Sequence, residues 1–341
     1  MSLPLAPPWP PQEAQSVKAL PAGEAWVYEP KWDGFRCIAF RDGGDVELQS
    51  KAGKPLGRYF PEVVEAVRAL AAPRFVIDSE IVIPIDGELS FESLLQRVHP
   101  AESRVRRLVA ETPALVIAFD LLVGPDGELL TGMPFAERRQ RLESFATSFL
   151  TGQDAIRLSP ETHDLANARQ WLTGIRGGVD GVMAKRLDMP YHSGERTAMR
   201  KVKRMRTADC VVGGFRYGTN NRQVGSLLLG LYDAGRLHHV GFTSGIRARD
   251  KPALTAKLER LVEPPGFTGR APGGPSRWAT ERSAEWMPLR PELVVEVEYD
   301  HFSEGRFRHG TRLVRWRPDK APEQCTLEQV EKEGRASLEL L

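Results

Sequence analysis

Lys31-Trp32-Asp33-Gly34-Phe35-Arg36 is the run on which the reading of the whole chain turns. A lysine amine is a nucleophile only when neutral, so a catalytic lysine requires neighbours that lower its pKa. Asp33-Gly34 has the composition of a tight turn, and glycine lets a backbone come close to a ligand. Arg36 offers a rigid fork that suits ribose or phosphate oxygens. Such a run arises by chance in on the order of one in a hundred chains of this length. The plain alternative is a surface lysine ahead of a hairpin, so the surroundings have to decide.

Working outward, Trp26-Val27-Tyr28 reads as a short strand leading into Lys31. Phe35 to Arg41 and Val46 to Gln49 read as two strands joined through Asp42-Gly43-Gly44, a hairpin signal. Pro61 to Ala71 has helical spacing, with proline at a permitted first turn. Phe75-Val76-Ile77 and Ile81-Val82-Ile83 flank the acidic trio Asp78-Ser79-Glu80. Phe91 to Leu108, Phe135 to Phe149 and Leu165 to Ile175 read as helices. Leu115 to Leu122 is a buried strand containing Phe119-Asp120, and Val182-Met183-Ala184 is another strand.

The character changes near residue 204. Cys210 to Tyr217, Ser226 to Tyr232, Leu237 to Phe242, Leu293 to Tyr299 and Thr311 to Trp316 read as strands, with one helix at Ala253 to Val262. Five short strands and a helix suggest a small OB-type barrel. Gly266 to Ser276 reads as a mobile loop. The fold class expected is α+β, with one domain over 1–204 and a barrel over 205–341.

Composition sets limits. The 341 residues suggest two domains, and 41% hydrophobic residues suit a globular protein with a real core. A net charge of +2 announces no nucleic-acid partner, so local clustering has to carry that argument. Cys37, Cys210 and Cys325 lie far apart, which fits a reducing compartment and offers no zinc or disulfide frame. The leader Pro4-Leu5-Ala6-Pro7-Pro8-Trp9-Pro10-Pro11 lacks the basic start and apolar run of a signal peptide, and no apolar stretch is long enough to span a membrane. The expectation is a cytoplasmic, nucleoid-associated monomer.

Further motifs follow in order: Ser50-Lys51-Ala52-Gly53, Asp78-Ser79-Glu80, Phe119-Asp120, Asp180-Gly181-Val182-Met183-Ala184-Lys185, Lys201-Val202-Lys203 and Arg317-Pro318-Asp319-Lys320. This series resembles the covalent nucleotidyltransferases, and its order and spacing are most similar to ATP-dependent DNA ligases of the compact bacterial LigC-like group. The resemblance covers roughly residues 25–325 and is far more specific than any single motif. It implies an adenylation domain of packed antiparallel sheets with helices, followed by an OB-fold domain.

The resemblance also implies roles. Lys31 attacks the α-phosphate of ATP and becomes a lysyl-AMP. Glu29 reads the adenine amino group, and Phe119 and Met183 sandwich the ring. Arg36 holds the ribose or the nick phosphate, and Ser50 and Lys51 contact the nick. Glu80 contacts the ribose and supports a metal, and Asp180 binds that metal, Mg2+ or Mn2+. Lys185 and Lys203 hold the α-phosphate with Lys201 beside them, and Arg317 and Lys320 grip the leaving pyrophosphate. Cations around Lys31 would also disfavour its protonated form. Two positions depart from the usual pattern. Asp180 stands where ligases commonly have Glu, and Lys51 where they commonly have Arg, so a bidentate grip becomes a point charge.

The implied substrate is nicked duplex DNA, with repair as the setting and repair proteins as partners. Two other readings remain open: an RNA ligase or capping guanylyltransferase, and a non-catalytic nucleic-acid binder on a ligase scaffold. Residues 185–206 carry Lys185, Arg186, Arg196, Arg200, Lys201, Lys203, Arg204 and Arg206 against Asp188 and Glu195, a density that favours phosphate binding over a solvated face. Residues 304–320 are similarly basic, with Phe307 and Trp316 read as either core or base-stacking residues. Arg104, Arg106 and Arg107 read as an exposed helix face. The histidines show no ligand spacing.

Overall fold

The computed structural model describes residues 2–173, 179–219, 222–273, 285–331 and 340. Two compact units are present, Met1–Arg204 with Gly334–Leu341, and Met205–Glu333. The first contains β1 (Gln15–Ser16), β2 (Trp26–Lys31), β3 (Phe35–Asp42), β4 (Asp45–Ser50), α1 (Pro61–Ala69), β5 (Arg74–Val82), β6 (Pro84–Ile85), β7 (Glu88–Leu89), α2 (Phe91–Arg97) and α3 (Glu102–Glu111). It continues with β8 (Leu115–Val123), α4 (Phe135–Phe149), β9 (Ile156–Leu158), α5 (Leu165–Thr173), β10 (Gly181–Arg186) and β11 (Met199–Lys203).

Two sheets organise this unit, one in the order β4-β3-β5-β8-β9 and the other β1-β11-β10-β2. Strand alternation explains how the first is buried on both sides. Along β5, Phe75, Ile77 and Ile81 enter a core shared with Val63 and Val67 of α1 and Leu142 and Phe145 of α4. Val76 points the other way, beside Ile38, Phe40, Leu122 and Tyr191. Each such side chain contributes roughly 1.5–3 kcal/mol on burial. Tyr28, Val182 and Ala184 of the second sheet share a third cluster with Val82, Leu115 and Ile117 of the first and Ala168 and Trp171 of α5.

Asp78-Ser79-Glu80 is a difference from the sequence reading. The trio lies inside one continuous strand, β5, rather than between two apolar runs. Asp78 and Glu80 therefore share a face. The single helix expected over Phe91 to Leu108 is two helices, α2 and α3, broken around Pro100. Proline lacks the amide hydrogen that an interior turn requires and disfavours helix at the residue before it. The helix expected to end at Ile175 is described through Thr173, and its last two residues lie outside the described residues. β11 was not foreseen as a strand. On α3, Arg106 pairs with Glu102 and Arg107 with Glu111 at exposed i,i+4 positions.

The second unit contains β12 (Arg206–Tyr217), β13 (Val224–Asp233), β14 (Arg236–Thr243), α6 (Lys251–Glu259), β15 (Met287–Pro288), β16 (Val294–Tyr299), β17 (Phe302–Ser303), β18 (Arg306–Phe307), β19 (Arg312–Trp316) and α7 (Glu328–Glu331). The order β14-β13-β12-β16-β19 is closed by a parallel bridge between Thr243 and Thr311. The Thr243 hydroxyl donates to the Thr311 carbonyl at 3.0 Å, and the Thr311 hydroxyl to the Phe242 carbonyl at 3.1 Å. This is an OB-type barrel, and closure removes the edge that an open sheet would expose. Phe307 is core, and Trp316 packs on its margin. Glu296 and Glu298 lie opposite Arg315 and Arg312 and pair with them. The expected mobile loop is anchored: Phe267 is buried in the barrel core. Its residues 274–276 lie outside the described residues.

Candidate active site

The register of the second sheet builds one wall of a cleft. Lys31, Gly181 and Lys203 form one cross-strand row, and Glu29, Met183 and Lys201 the next. Period-two alternation turns each row to a single face. The opposite wall comes from the first sheet, with Arg36 on β3, Glu80 on β5 and Phe119 on β8. The space between them is about 140 Å³ and is bordered by these residues with Glu13, Trp32, Lys51, Lys185 and Met199 among others.

Phe119 reaches the cleft because the ladder skips it. Asp78 pairs with Asp120 and Ser79 with Ala118, leaving Phe119 as the extra residue of a β-bulge. Bulges re-aim side chains next to functional sites. The Arg36 guanidinium lies 5.3 Å from the Phe119 ring centroid, and the Lys185 amine 4.8 Å. Two glycines set the spacing. A Cβ at Gly34 would strike the Ile81 carbonyl oxygen and lie 2.7 Å from Glu80 Cγ, and one at Gly181 would strike the Val202 carbonyl oxygen. These absent side chains let the Lys31 turn press against β5 and β10 against β11.

Lys31 ends β2, and its amine is ion-paired with the buried carboxylate of Asp180. Burial works against its charge, but Asp180, joined by Asp33 and Glu80, outweighs that and holds the amine above its ordinary value. The sequence expectation was the reverse. It rests on the positive charges of Lys185, Lys203 and a magnesium ion, whereas the nearest charge to the amine is the Asp180 carboxylate. Burial pushes the Glu80 carboxyl up to about 8, against the pull of Lys31 and Arg36. The same desolvation raises Glu29 despite Lys185 and Arg139 beside it.

The remaining expected residues divide into two groups. Lys185 is buried, and its amine donates to Glu29 Oε1 at 2.8 Å and to the Phe119 carbonyl at 3.0 Å. It thus ties the two walls together beneath the cleft. Lys201 lines the cleft and is lowered by burial and by its cationic neighbours Lys31, Lys51 and Lys203. Lys51 is exposed and bridges to Glu13 at 3.2 Å, and Ser50 caps its turn by accepting the Lys54 amide at 3.0 Å. In the second unit, Arg317 and Lys320 both engage Asp209, at 2.8 Å and 3.4 Å. Arg317 also pairs with Asp319 at 2.9 Å, which draws that carboxyl down to about 2.

Sequence reasoning missed Glu13, Asp78, Tyr191 and Met199. Asp78 carried a signal, since alternation along a strand puts it on the face of Glu80. Glu13 bridges Lys51 and Arg196, and its place depends on a leader folding back across the chain. The carboxylates acting on Lys31, Asp180, Asp33 and Glu80, offer oxygen donors, which fit a hard cation such as Mg2+ better than a soft one. Among the described residues, no helix is long and apolar enough to cross a membrane.

Comparison with known proteins follows the same outline. The family model for the ATP dependent DNA ligase domain matches residues 11–203, and that for the ATP dependent DNA ligase C terminal region matches residues 220–320. The chain is 45% identical to DNA ligase C of Mycobacterium tuberculosis, across 99% of this chain and 98% of that protein. It is 31% identical to the multifunctional non-homologous end joining DNA repair protein LigD of the same species, across 92% of this chain and 39% of that protein. A solved structure from a study of Lig E DNA ligases has a TM-score of 0.55 at 19% identity, covering 90% of this chain and 99% of that one, which shows the shared fold. With this motif order, these sheets and these matches, the chain belongs to the ATP-dependent DNA ligases.

Proposed function

We propose that Lys31 is the residue that carries AMP. The observation behind this is its place at the end of β2, in a cleft it shares with Glu29, Arg36, Glu80, Phe119, Met183 and Lys201. In the first step the Lys31 amine gives up its proton and forms a bond to the α-phosphorus of ATP. The bond from that phosphorus to the bridging oxygen breaks, and pyrophosphate leaves. AMP then passes to the 5′-phosphate at a nick, and the adjacent 3′-hydroxyl displaces it to close the strand.

Glu29 reads the base edge, and Phe119 and Met183 hold the ring, since a flat base stacks well on an aromatic face. Arg36 and Glu80 hold the ribose. Lys185 and Lys203, with Lys201 beside them, serve the α-phosphate, and Lys185 also fixes Glu29 at the base edge. Asp180 and Glu80 are the ligands for a magnesium ion, which would supply positive charge to offset that of the phosphates. Arg317 and Lys320 take the leaving pyrophosphate, and Ser50 and Lys51 the nick. We assign the adenylation role to residues 1–204 and the barrel role to 205–341. The kinship with LigD supports a repair setting. Incubation with radiolabelled ATP and magnesium is expected to label the chain covalently. Normal labelling of Lys31→Ala overturns the assignment, and labelling by GTP in place of ATP overturns the choice of nucleotide.

A further inference from the structure

We propose that Tyr191 is a positioning residue for the nucleotide step, acting through Asp78 on Arg36, with leader residues 9–13 completing its support. This rests on the reading of Arg36 as a nucleotide contact. Asp78 is fully buried, and a carboxylate there persists only when its lone pairs are filled. Arg36 donates through Nε to Oδ1 at 2.9 Å and through Nη2 to Oδ2 at 2.5 Å. The Tyr191 hydroxyl donates to the same Oδ2 at 2.5 Å. Its oxygen in turn accepts the Gln12 amide at 2.9 Å. One hydroxyl therefore links the leader backbone to the carboxylate that fixes the Arg36 fork.

The leader is built to hold that hydroxyl still. Trp9 stacks on Tyr191 with ring centroids 5.3 Å apart. The Gln49 side chain clasps the Trp9 backbone in both directions, accepting its amide and donating to its carbonyl, each at 2.7 Å. Ser193 donates to the Pro10 carbonyl at 2.6 Å, and the Glu13 amide donates to the Glu195 carbonyl at 2.8 Å. Burial, followed by Asp78, keeps the Tyr191 proton on its oxygen. A long arginine side chain otherwise samples many rotamers, and preorganising it favours binding. Arg36 is held in one of them, at the cleft and beneath Phe119.

Full-length Tyr191→Phe tests this, because it keeps the ring and the Trp9 stack and removes only the hydroxyl. Three quantities are read: lysyl-AMP formation against ATP concentration, nick joining by pre-adenylated protein without added ATP, and melting temperature. The ATP concentration for half-maximal labelling is expected to rise about tenfold, the size of one hydrogen bond to a charged group. Maximal labelling and pre-adenylated joining stay within about twofold. Trp9→Leu, which retains the hydroxyl but loosens the leader, shifts half-saturation the same way by less. Arg36→Ala separates the two ideas. If it raises ATP half-saturation and Tyr191→Phe does not, the inference fails alone. If Arg36→Ala leaves ATP use unchanged, the reading of Arg36 fails and takes the inference with it. A parallel fall of labelling, joining and melting temperature in Tyr191→Phe marks a purely structural tyrosine and overturns the proposal.

Discussion

Lys31 donates its ammonium to the buried Asp180 carboxylate, and this ion pair overrides the burial that would otherwise favour a neutral amine. A base whose folded pKa is raised keeps that stabilisation in full below its ordinary value of 10.5 and loses it as pH climbs through the higher folded value. The pair is therefore intact at neutral pH. Asp180→Asn leaves Lys31 buried with less opposing charge, so its pKa falls. Acylation of Lys31 by an amine reagent, followed by peptide mass across pH, is expected to show a lower midpoint. An unchanged or higher midpoint contradicts the account. Labelling by ATP and magnesium drops about tenfold or more in the same variant, because a donor oxygen is lost.

Glu80 shifts in the same direction, but there the favoured form is the neutral one. Its carboxyl is raised from 4.5 to about 8, so folding favours the protonated form. The stability this provides is complete below 4.5 and is lost as pH rises through the folded value. Glu80→Gln is isosteric with the protonated form. In thermal melts without metal, it should match the parent near about pH 4 and exceed it by on the order of 4 kcal/mol near about pH 9. Equal melting temperatures at both pH values would falsify this.

Gly34→Ala forces a Cβ against the Ile81 carbonyl oxygen and Glu80 Cγ. The strand pair β3–β5 must give way at the point where Arg36 lies opposite Glu80. Urea unfolding is expected to show a loss of about 1–3 kcal/mol, with covalent labelling reduced well beyond what residual folding explains. Wild-type stability and labelling in this variant would show that the turn has room that the geometry denies it.

Asp209 neutralises the two cations assigned to pyrophosphate, and Gln329 holds its backbone by accepting the Asp209 amide at 3.0 Å and donating to its carbonyl at 3.2 Å. Freed from that competitor, Arg317 and Lys320 bind pyrophosphate more tightly. Asp209→Asn should lower the pyrophosphate concentration that half-reverses lysyl-AMP by about threefold to tenfold. A higher concentration would instead make Asp209 an aligning group for Arg317.

Much of the fold was legible because burial leaves a period in the sequence. The helix Phe135–Phe149 and the hairpin through Asp42-Gly43-Gly44 follow from apolar spacing and turn composition. β11 was missed because Met199–Lys203 is short and carries charge at three of its five positions, Arg200, Lys201 and Lys203, so it resembles a solvated run. Of the motif residues, Glu29, Lys31, Arg36, Lys51, Glu80, Phe119, Met183, Lys185 and Lys201 border one cleft, and strand register decides which of them do so. Partnerships were not legible. Asp180 opposes Lys31 across 149 positions of chain, and Tyr191 meets Asp78 across 113. No local pattern encodes a counter-ion that arrives from a distant strand, and the direction of the Lys31 shift depended on one.

The β-bulge at Phe119 has a consequence for how such a protein changes over time. Every other cleft residue on β8 and its neighbours is bound to the alternation of its strand, so moving it by one place would turn a whole face inside out. Phe119 stands outside the ladder. Its side chain can be exchanged for a larger or smaller one without re-registering β5 or β8. With the base stacked on Phe119 as proposed, preference for one nucleobase over another can drift at this position while the sheet beneath it stays the same.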